Sequence, residues 1–195
     1  VSESDGAAFE ARSTKGETVG LQLVELELSA TTRAEVLDTI GQVAKRAEQA
    51  GGSLLESQIT SDLARAYVVL EGDACAELTI DPSTLDGVAS LDGPHAVRLV
   101  GATIDEVRAA GGGGEYLVEW DIPAEVTLEQ YLARKKEKSP LYAQVPEVSF
   151  LRTYVREDVD KCLCFYDGPD EAAVRHAREV VQTPVSRLHT LSQSE

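Results

Sequence analysis

Basic residues are scarce. Among 195 residues, 18 Lys and Arg face 34 Asp and Glu, a formal net charge of −16. That sign repels phosphate backbones and excludes nucleic acid as a partner. An acidic surface keeps a chain soluble and attracts cations. Cysteine is scarce as well. Cys75, Cys162 and Cys164 are too few, and odd in number, for a disulfide framework. Cys162 and Cys164 stand two apart, which is not the spacing of a zinc knuckle. No run of 18 apolar residues exists, so no membrane span is expected. Residues 1–20 are polar and charged, unlike a signal peptide. The setting expected is therefore soluble, reducing and cytoplasmic. Methionine is absent, which fits removal of the initiator and indicates nothing more. Neither a Ser-His-Asp order nor HExxH occurs, so nothing calls for a hydrolase.

What the chain does have is an internal echo. Leu54–Gly72 reads LLESQITSDLARAYVVLEG, and Phe150–Gly168 reads FLRTYVREDVDKCLCFYDG. The two align without a gap, each with an apolar run, a charged turn at Asp62 or Asp158, a second apolar run and an acid-Gly stop. Upstream of each sits the same tripeptide, Leu23-Val24-Glu25 and Leu117-Val118-Glu119. Downstream, Val97-Arg98-Leu99 echoes Ser186-Arg187-Leu188. Such periodicity predicts one unit written twice.

The expected organisation is a mobile tail over 1–20, a first unit over 21–110, a glycine hinge at 111–114 and a second unit over 115–195. In the first unit, Leu21–Ser29 reads as a strand. Thr31–Ala50 reads as a helix, with Val36, Leu37, Ile40, Val43, Ala44 and Ala47 at helical spacing. A hairpin follows over Ser53–Leu70. A weaker helical stretch begins near Asp73 and is interrupted at Pro82, and a last strand covers Ala96–Val100. Thr103–Ala110 adds a helical turn. The second unit repeats the order, with Thr127 and Gln130 in a capping-box pattern and Asp170 as a second cap. The fold class expected is α+β: two tandem ferredoxin-like βαββαβ repeats, packed sheet to sheet as a dimeric α+β barrel-like unit.

Strand alternation assigns faces. Val24, Leu26 and Leu28, and likewise Val118, Trp120 and Ile122, form apolar rows that should meet the helices. Glu25, Glu27, Glu119 and Asp121 then point to the free face. On the last hairpin strand, Leu163 and Phe165 are expected on the helix side, and Cys162, Cys164 and Tyr166 on the free side with the acids. Arg65, Arg152 and Lys161 are basic partners within reach of those acids. Carboxylate, thiolate and imidazole together suit a divalent transition metal. His176 shares a helical stripe with Ala173, Ala177 and Val180 and reaches the acids only from an edge. His95 and His189 read as surface residues.

The second half resembles a family of small nickel-binding, nickel-responsive proteins with a ferredoxin-like fold. The likeness rests on Tyr116-Leu117-Val118-Glu119, on Leu151-Arg152-Thr153-Tyr154-Val155 and on Cys164-Phe165-Tyr166-Asp167-Gly168-Pro169-Asp170. It continues in Ala173-Val174-Arg175-His176-Ala177 and Pro184. The resemblance implies a dimeric α+β barrel and divalent metal binding, with nickel as the ion and no established reaction. The first half carries Val68 and Leu70 where Cys164 and Tyr166 stand, and nothing matching His176.

The function expected is non-enzymatic binding of a divalent metal ion or small ligand between the sheets. The candidate metal ligands are Glu119, Asp121, Cys164, Tyr166 and His176. A homo-oligomer or a protein partner is compatible with this reading. Two alternatives stay open: a cofactor-independent monooxygenase or isomerase of the dimeric α+β barrel type, and an acidic protein-interaction module.

Overall fold

The computed structural model describes residues 19–192. The expected tail falls almost wholly outside the described residues. The chain runs through β1 (Leu21–Leu28), α1 (Arg33–Ala50), β2 (Ser53–Ile59), β3 (Arg65–Glu71) and β4 (Val88–Val100). After α2 (Ile104–Ala110) come β5 (Tyr116–Asp121), α3 (Leu128–Lys138), β6 (Ser149–Arg156), β7 (Lys161–Asp167), α4 (Glu171–Val180) and β8 (Arg187–Thr190). This is a mixed α+β fold, with eight strands in one antiparallel sheet of order β2-β3-β1-β4-β6-β7-β5-β8. No helix among the described residues is long and apolar enough to cross a membrane.

Local chemistry sets the helix ends. Thr32 with Glu35, Thr103 with Glu106 and Thr127 with Gln130 each form a capping box. Asp170 caps α4 by accepting from the Ala173 N–H. Gly51 ends α1 at φ 93°, a left-handed value that favours glycine. Val36, Ile40, Val43 and Ala47 form the buried stripe of α1; Leu37, one residue off it, is exposed. The helix expected from Asp73 is instead two 3-10 turns, Asp73–Glu77 and Pro82–Thr84. Pro82 lacks the N–H an α-helix would need there and sits at the start of the second turn.

The two echoing segments fold alike. Both are hairpins, and both shift register at the same place, between Leu54 and Glu56 and between Phe150 and Arg152. Both turns carry a non-glycine residue at positive φ, Leu63 at 59° and Val159 at 60°. Glu56 and Arg152 therefore hold matching positions. They also pair with each other across the molecule, Arg152 Nε to Glu56 Oε1 at 2.9 Å.

The halves do not stack as two separate sheets. They join edge to edge, β4 to β6, with Val97 opposite Arg156 and Val100 opposite Thr153. At the far ends, Thr60 bridges Leu191, and the Ser61 N–H reaches the Thr190 carbonyl at 2.8 Å. The sheet curls into a barrel whose outer edges meet, which leaves few unpaired strand groups. Gly93-Pro94 falls in a bulge of β4 against β1, where a residue without an N–H costs the ladder little.

Three apolar cores result. One lies between the first half's sheet and α1, a second between the second half's sheet and α3 and α4. The third fills the barrel, where Leu21, Leu23, Tyr67 and Val69 meet Leu117, Tyr154, Leu163, Phe165 and Leu191. Each fully buried Leu or Phe there contributes about 1.5–3 kcal/mol of transfer free energy. The segment 111–114 crosses between the halves. Its Gly113 carbonyl accepts from Arg152 Nη2 at 2.8 Å, and its Gly112 carbonyl accepts from Gln58.

Candidate functional site

Antiparallel residues directly opposite one another share a face. Val118 faces Cys164, Trp120 faces Cys162 and Tyr116 faces Tyr166. Cys162, Cys164 and Tyr166 therefore lie on the helix side, and Leu163 and Phe165 line the barrel with Leu117 and Glu119. This reverses the faces expected for β7. Both rows of that strand are apolar enough to be core, so alternation alone gave no contrast. The expected faces of β1 and β5 hold: Val24, Leu26, Val118, Trp120 and Ile122 pack toward the helices.

The five candidate ligands consequently fall into three places. Glu119 and Asp121 are on the barrel side, Cys164 and Tyr166 on the helix side, and His176 is outside, its side chain 60% exposed and 3.8 Å from Glu179. The histidine that does meet the acids is His189. It stands opposite Leu117 on β8, and its Nε2 lies 2.8 Å from Glu119 Oε1.

The barrel acids are already answered. Glu119 is fully buried. It accepts from Tyr67 Oη at 2.7 Å and Arg187 Nε at 2.9 Å, and Lys161 Nζ lies 3.4 Å away. Burial would raise its pKa, but the bonds from His189, Arg187 and Tyr67 and the charge of Lys161 outweigh it and hold the carboxyl well below its usual range. Arg187 also grips Asp121, with Nη1 at 2.8 Å. Glu25 accepts from Arg156 at 2.6 Å and Lys161 at 2.8 Å, Glu27 from Arg65 at 3.0 Å, and Glu56 from Arg152 and Tyr154. Thus Arg65, Arg152 and Lys161 do pair with acids of the free face. Buried carboxylates with this many donors are stabilised as anions without any further ion.

A different constellation occupies the helix side of the second half. Lys135, from α3, donates to Thr153 Oγ1 at 2.6 Å, and Thr153 lies 3.1 Å from Cys164 Sγ. Arg178, from α4, reaches Cys164 Sγ at 3.5 Å and Tyr166 Oη at 3.1 Å. Tyr166 Oη is 2.7 Å from Tyr142 Oη, and burial pushes the Tyr142 phenol up to about 12. Cys162 Sγ lies 3.9 Å from Cys164 Sγ. A bond from Cys162, with Lys135, Arg178 and Thr153 nearby, holds the Cys164 thiol well below its usual range despite burial; Cys162 is pushed well above it. Cys164 thus lies buried beside two basic side chains, Lys135 and Arg178, an environment that favours its thiolate form.

Lys135, Tyr142, Cys162, Cys164 and Arg178 border a cavity of about 30 Å³, also lined by Trp120, Tyr131, Arg134 and Lys138. That is room for about one water. On its wall Arg178 Nε is buried without a hydrogen-bond partner, and the Tyr131 hydroxyl meets the sulfur of Cys162, a weak acceptor. Sequence reasoning passed over Lys135, Arg178 and Tyr131. A signal existed: Val174, Ala177, Arg178 and Val181 share helical spacing, as do Tyr131, Lys135 and Lys138, so each basic residue continues an inward stripe.

Among the described residues, no three or more His, Cys, Asp or Glu side chains form a group that could hold a metal ion.

Several solved structures superpose on most of the chain. A candidate chlorite dismutase, TA0507, superposes with TM-score 0.51 at 11% identity, covering 90% of this chain and 96% of that one. A candidate monooxygenase from Lactobacillus acidophilus NCFM gives 0.46 at 12% identity, with 90% and 94% covered. An anthrone oxidase-like protein gives 0.43 at 14% identity, with 91% and 93% covered. At these identities the likeness concerns fold alone. No curated protein matches the sequence. The pattern carried by β5, the β6–β7 hairpin and α4 does have a family: residues 116–191 match the nickel responsive protein SCO4226-like family.

Proposed function

We propose that the chain is a binding protein made of two ferredoxin-like copies, residues 21–110 and 115–195 joined at 111–114. The ligand is a small anion, taken into the helix-side cavity of the second copy. The observation that carries this reading is the unpartnered buried donor Arg178 Nε at a cavity lined by basic side chains. An unsatisfied buried donor costs about 1–3 kcal/mol, so one at a cavity favours an occupant that accepts hydrogen bonds. Charge favours an anion. Arg134, Lys135, Lys138 and Arg178 line the cavity, and among the described residues no acid does, in a chain of net charge −16. Titration calorimetry with fluoride, chloride, bromide and formate tests it. At least one should give saturable heat, and Tyr131→Phe should weaken it about tenfold, the value of one hydrogen bond to a charged group. Absence of saturable heat with all four would overturn the reading.

A second reading rests on the family match, which points to a divalent ion such as nickel. The donors described above do not fit a preformed site for it. Glu119 and Asp121 are bridged by Arg187, Cys164 stands between Lys135 and Arg178, and His176 is remote from both. An ion at Glu119 and Asp121 would have to displace Arg187. Calorimetry with nickel, zinc and cobalt, on the natural protein and on Glu119→Gln, separates this reading from the first.

A further inference from the structure

We propose that Cys164 is an oxidant-reactive nucleophile: a small hydroperoxide enters the basic cavity and oxidises its sulfur, and Cys162 captures the product. This deepens the cavity reading and rests on it. The geometry supplies each part. Cys164 lines the cavity, Thr153 and Arg178 point hydrogen-bond donors at its sulfur, and Lys135 backs Thr153 at 2.6 Å. Thiolates, not thiols, attack peroxides, and cations beside a cysteine favour the thiolate. Arg178 Nε, the unpartnered donor, is available to peroxide oxygens, which are acceptors. The occupant must be small, and a two-oxygen molecule is only slightly larger than water.

The step balances as follows. The Cys164 thiolate attacks one oxygen of the hydroperoxide, the S–O bond forms and the O–O bond breaks. The electron pair leaves on the second oxygen, where the basic lining stabilises the charge until it takes a proton from solvent and departs as water or an alcohol. Cys164 is oxidised by two electrons to a sulfenic acid, and the peroxide is reduced by two. The Cys162 sulfur, 3.9 Å away, then attacks the Cys164 sulfur. The S–S bond forms, the S–O bond breaks, and the hydroxide leaves with the thiol proton as water. Residues two apart on a strand have Cα atoms about 6.6 Å apart, at the long end for a disulfide, so the product should be strained and easily reduced.

Cys75 provides an internal control. It is fully buried in the first half, its thiol donates to the Glu71 carbonyl, and burial raises its pKa. The experiment treats reduced, folded protein with hydrogen peroxide, traps with dimedone or a maleimide, and reads each cysteine by peptide mass spectrometry. Cys164 should oxidise at least tenfold faster than Cys75. The natural protein should accumulate a Cys162–Cys164 disulfide, and Cys162→Ser a dimedone adduct on Cys164. Lys135→Met should slow the reaction; if that variant does not fold, protection of Cys164 by saturating anion gives the same information. Oxidation of Cys164 no faster than Cys75 overturns the inference. If anions still bind in that case, the cavity reading survives; if they do not, both fall.

Discussion

The two halves share a strand order, a hairpin register and a turn, yet their helix-side cores differ in kind. Under α1, the first half buries mainly apolar side chains, with Ala66, Val68 and Leu70 on β3, and the polar groups it does bury there, Thr39 and Cys75, each donate to a backbone carbonyl. At the matching places of β7 the second half buries Cys162, Cys164 and Tyr166, with Thr153, Arg178 and Lys135 bonded around them. The first half shows that this fold needs no unpartnered polar group there. Buried polar groups cost free energy unless every one is satisfied, and in the second half Arg178 Nε is not. Such an arrangement is explained by what it binds rather than by what it stabilises. The element that makes the difference is α4. The first half has 3-10 turns in its place, so it has no helix to deliver an Arg178.

Substitution can break the comparison in three places. The largest effect is expected at the matched acids Glu25 and Glu119. Glu119→Gln leaves Arg187, Lys161 and His189 facing a neutral amide and should cost about 3–5 kcal/mol in urea unfolding at neutral pH. Glu25→Gln should cost less, because Asp92 and Asp160 also answer Arg156. The folded pKa of Glu119 is depressed, so its stabilisation is full above its unfolded value near 4.3 and is lost as pH falls below that. Acid unfolding of Glu119→Gln should therefore be flatter below about pH 4.3 than that of the natural protein. Equal pH profiles would remove Glu119 from the network.

A smaller effect is expected from exchanging the helix-side residues. Cys164→Val imports the first half's residue and leaves Thr153 and Arg178 without their acceptor. It should cost about 1–3 kcal/mol, and Val68→Cys should create no peroxide-sensitive thiol. If Cys164→Val is neutral and the new cysteine reacts, the two cores are equivalent after all. The smallest effect is expected at His176. Its side chain is mostly exposed, so His176→Ala should change stability by no more than about 0.5 kcal/mol. It should also leave anion and nickel titrations unchanged. A large loss of nickel affinity would restore His176 as a ligand.

Much of this was readable in the sequence, for physical reasons. Hairpins, caps and strand periodicity are local, so the echo at Leu54–Gly72 and Phe150–Gly168 and the Thr127–Gln130 box could be read directly. So could the apolar rows of β1 and β5, where acids alternate with aliphatics. The face of β7 could not, because Cys162-Leu163-Cys164-Phe165-Tyr166 offers no polar contrast and only pairing with β5 fixes it. His189 was missed for the same reason: its neighbour across the ladder, Leu117, is set by register and not by spacing. Lys135 sits in the run Arg134-Lys135-Lys136, which reads as a solvated face until α3 is laid on the sheet.

The Glu56–Arg152 pair makes the two halves of the barrel unequal. In a barrel assembled from two identical chains, matching positions necessarily carry the same residue, so a contact between matching positions sets like against like. Glutamate would meet glutamate there, or arginine would meet arginine. Opposite charges can meet at matching positions only when each is encoded separately, as in one continuous chain. The two halves of this protein are thus not interchangeable. A chain carrying the second half twice would place two guanidinium groups where one now finds a carboxylate.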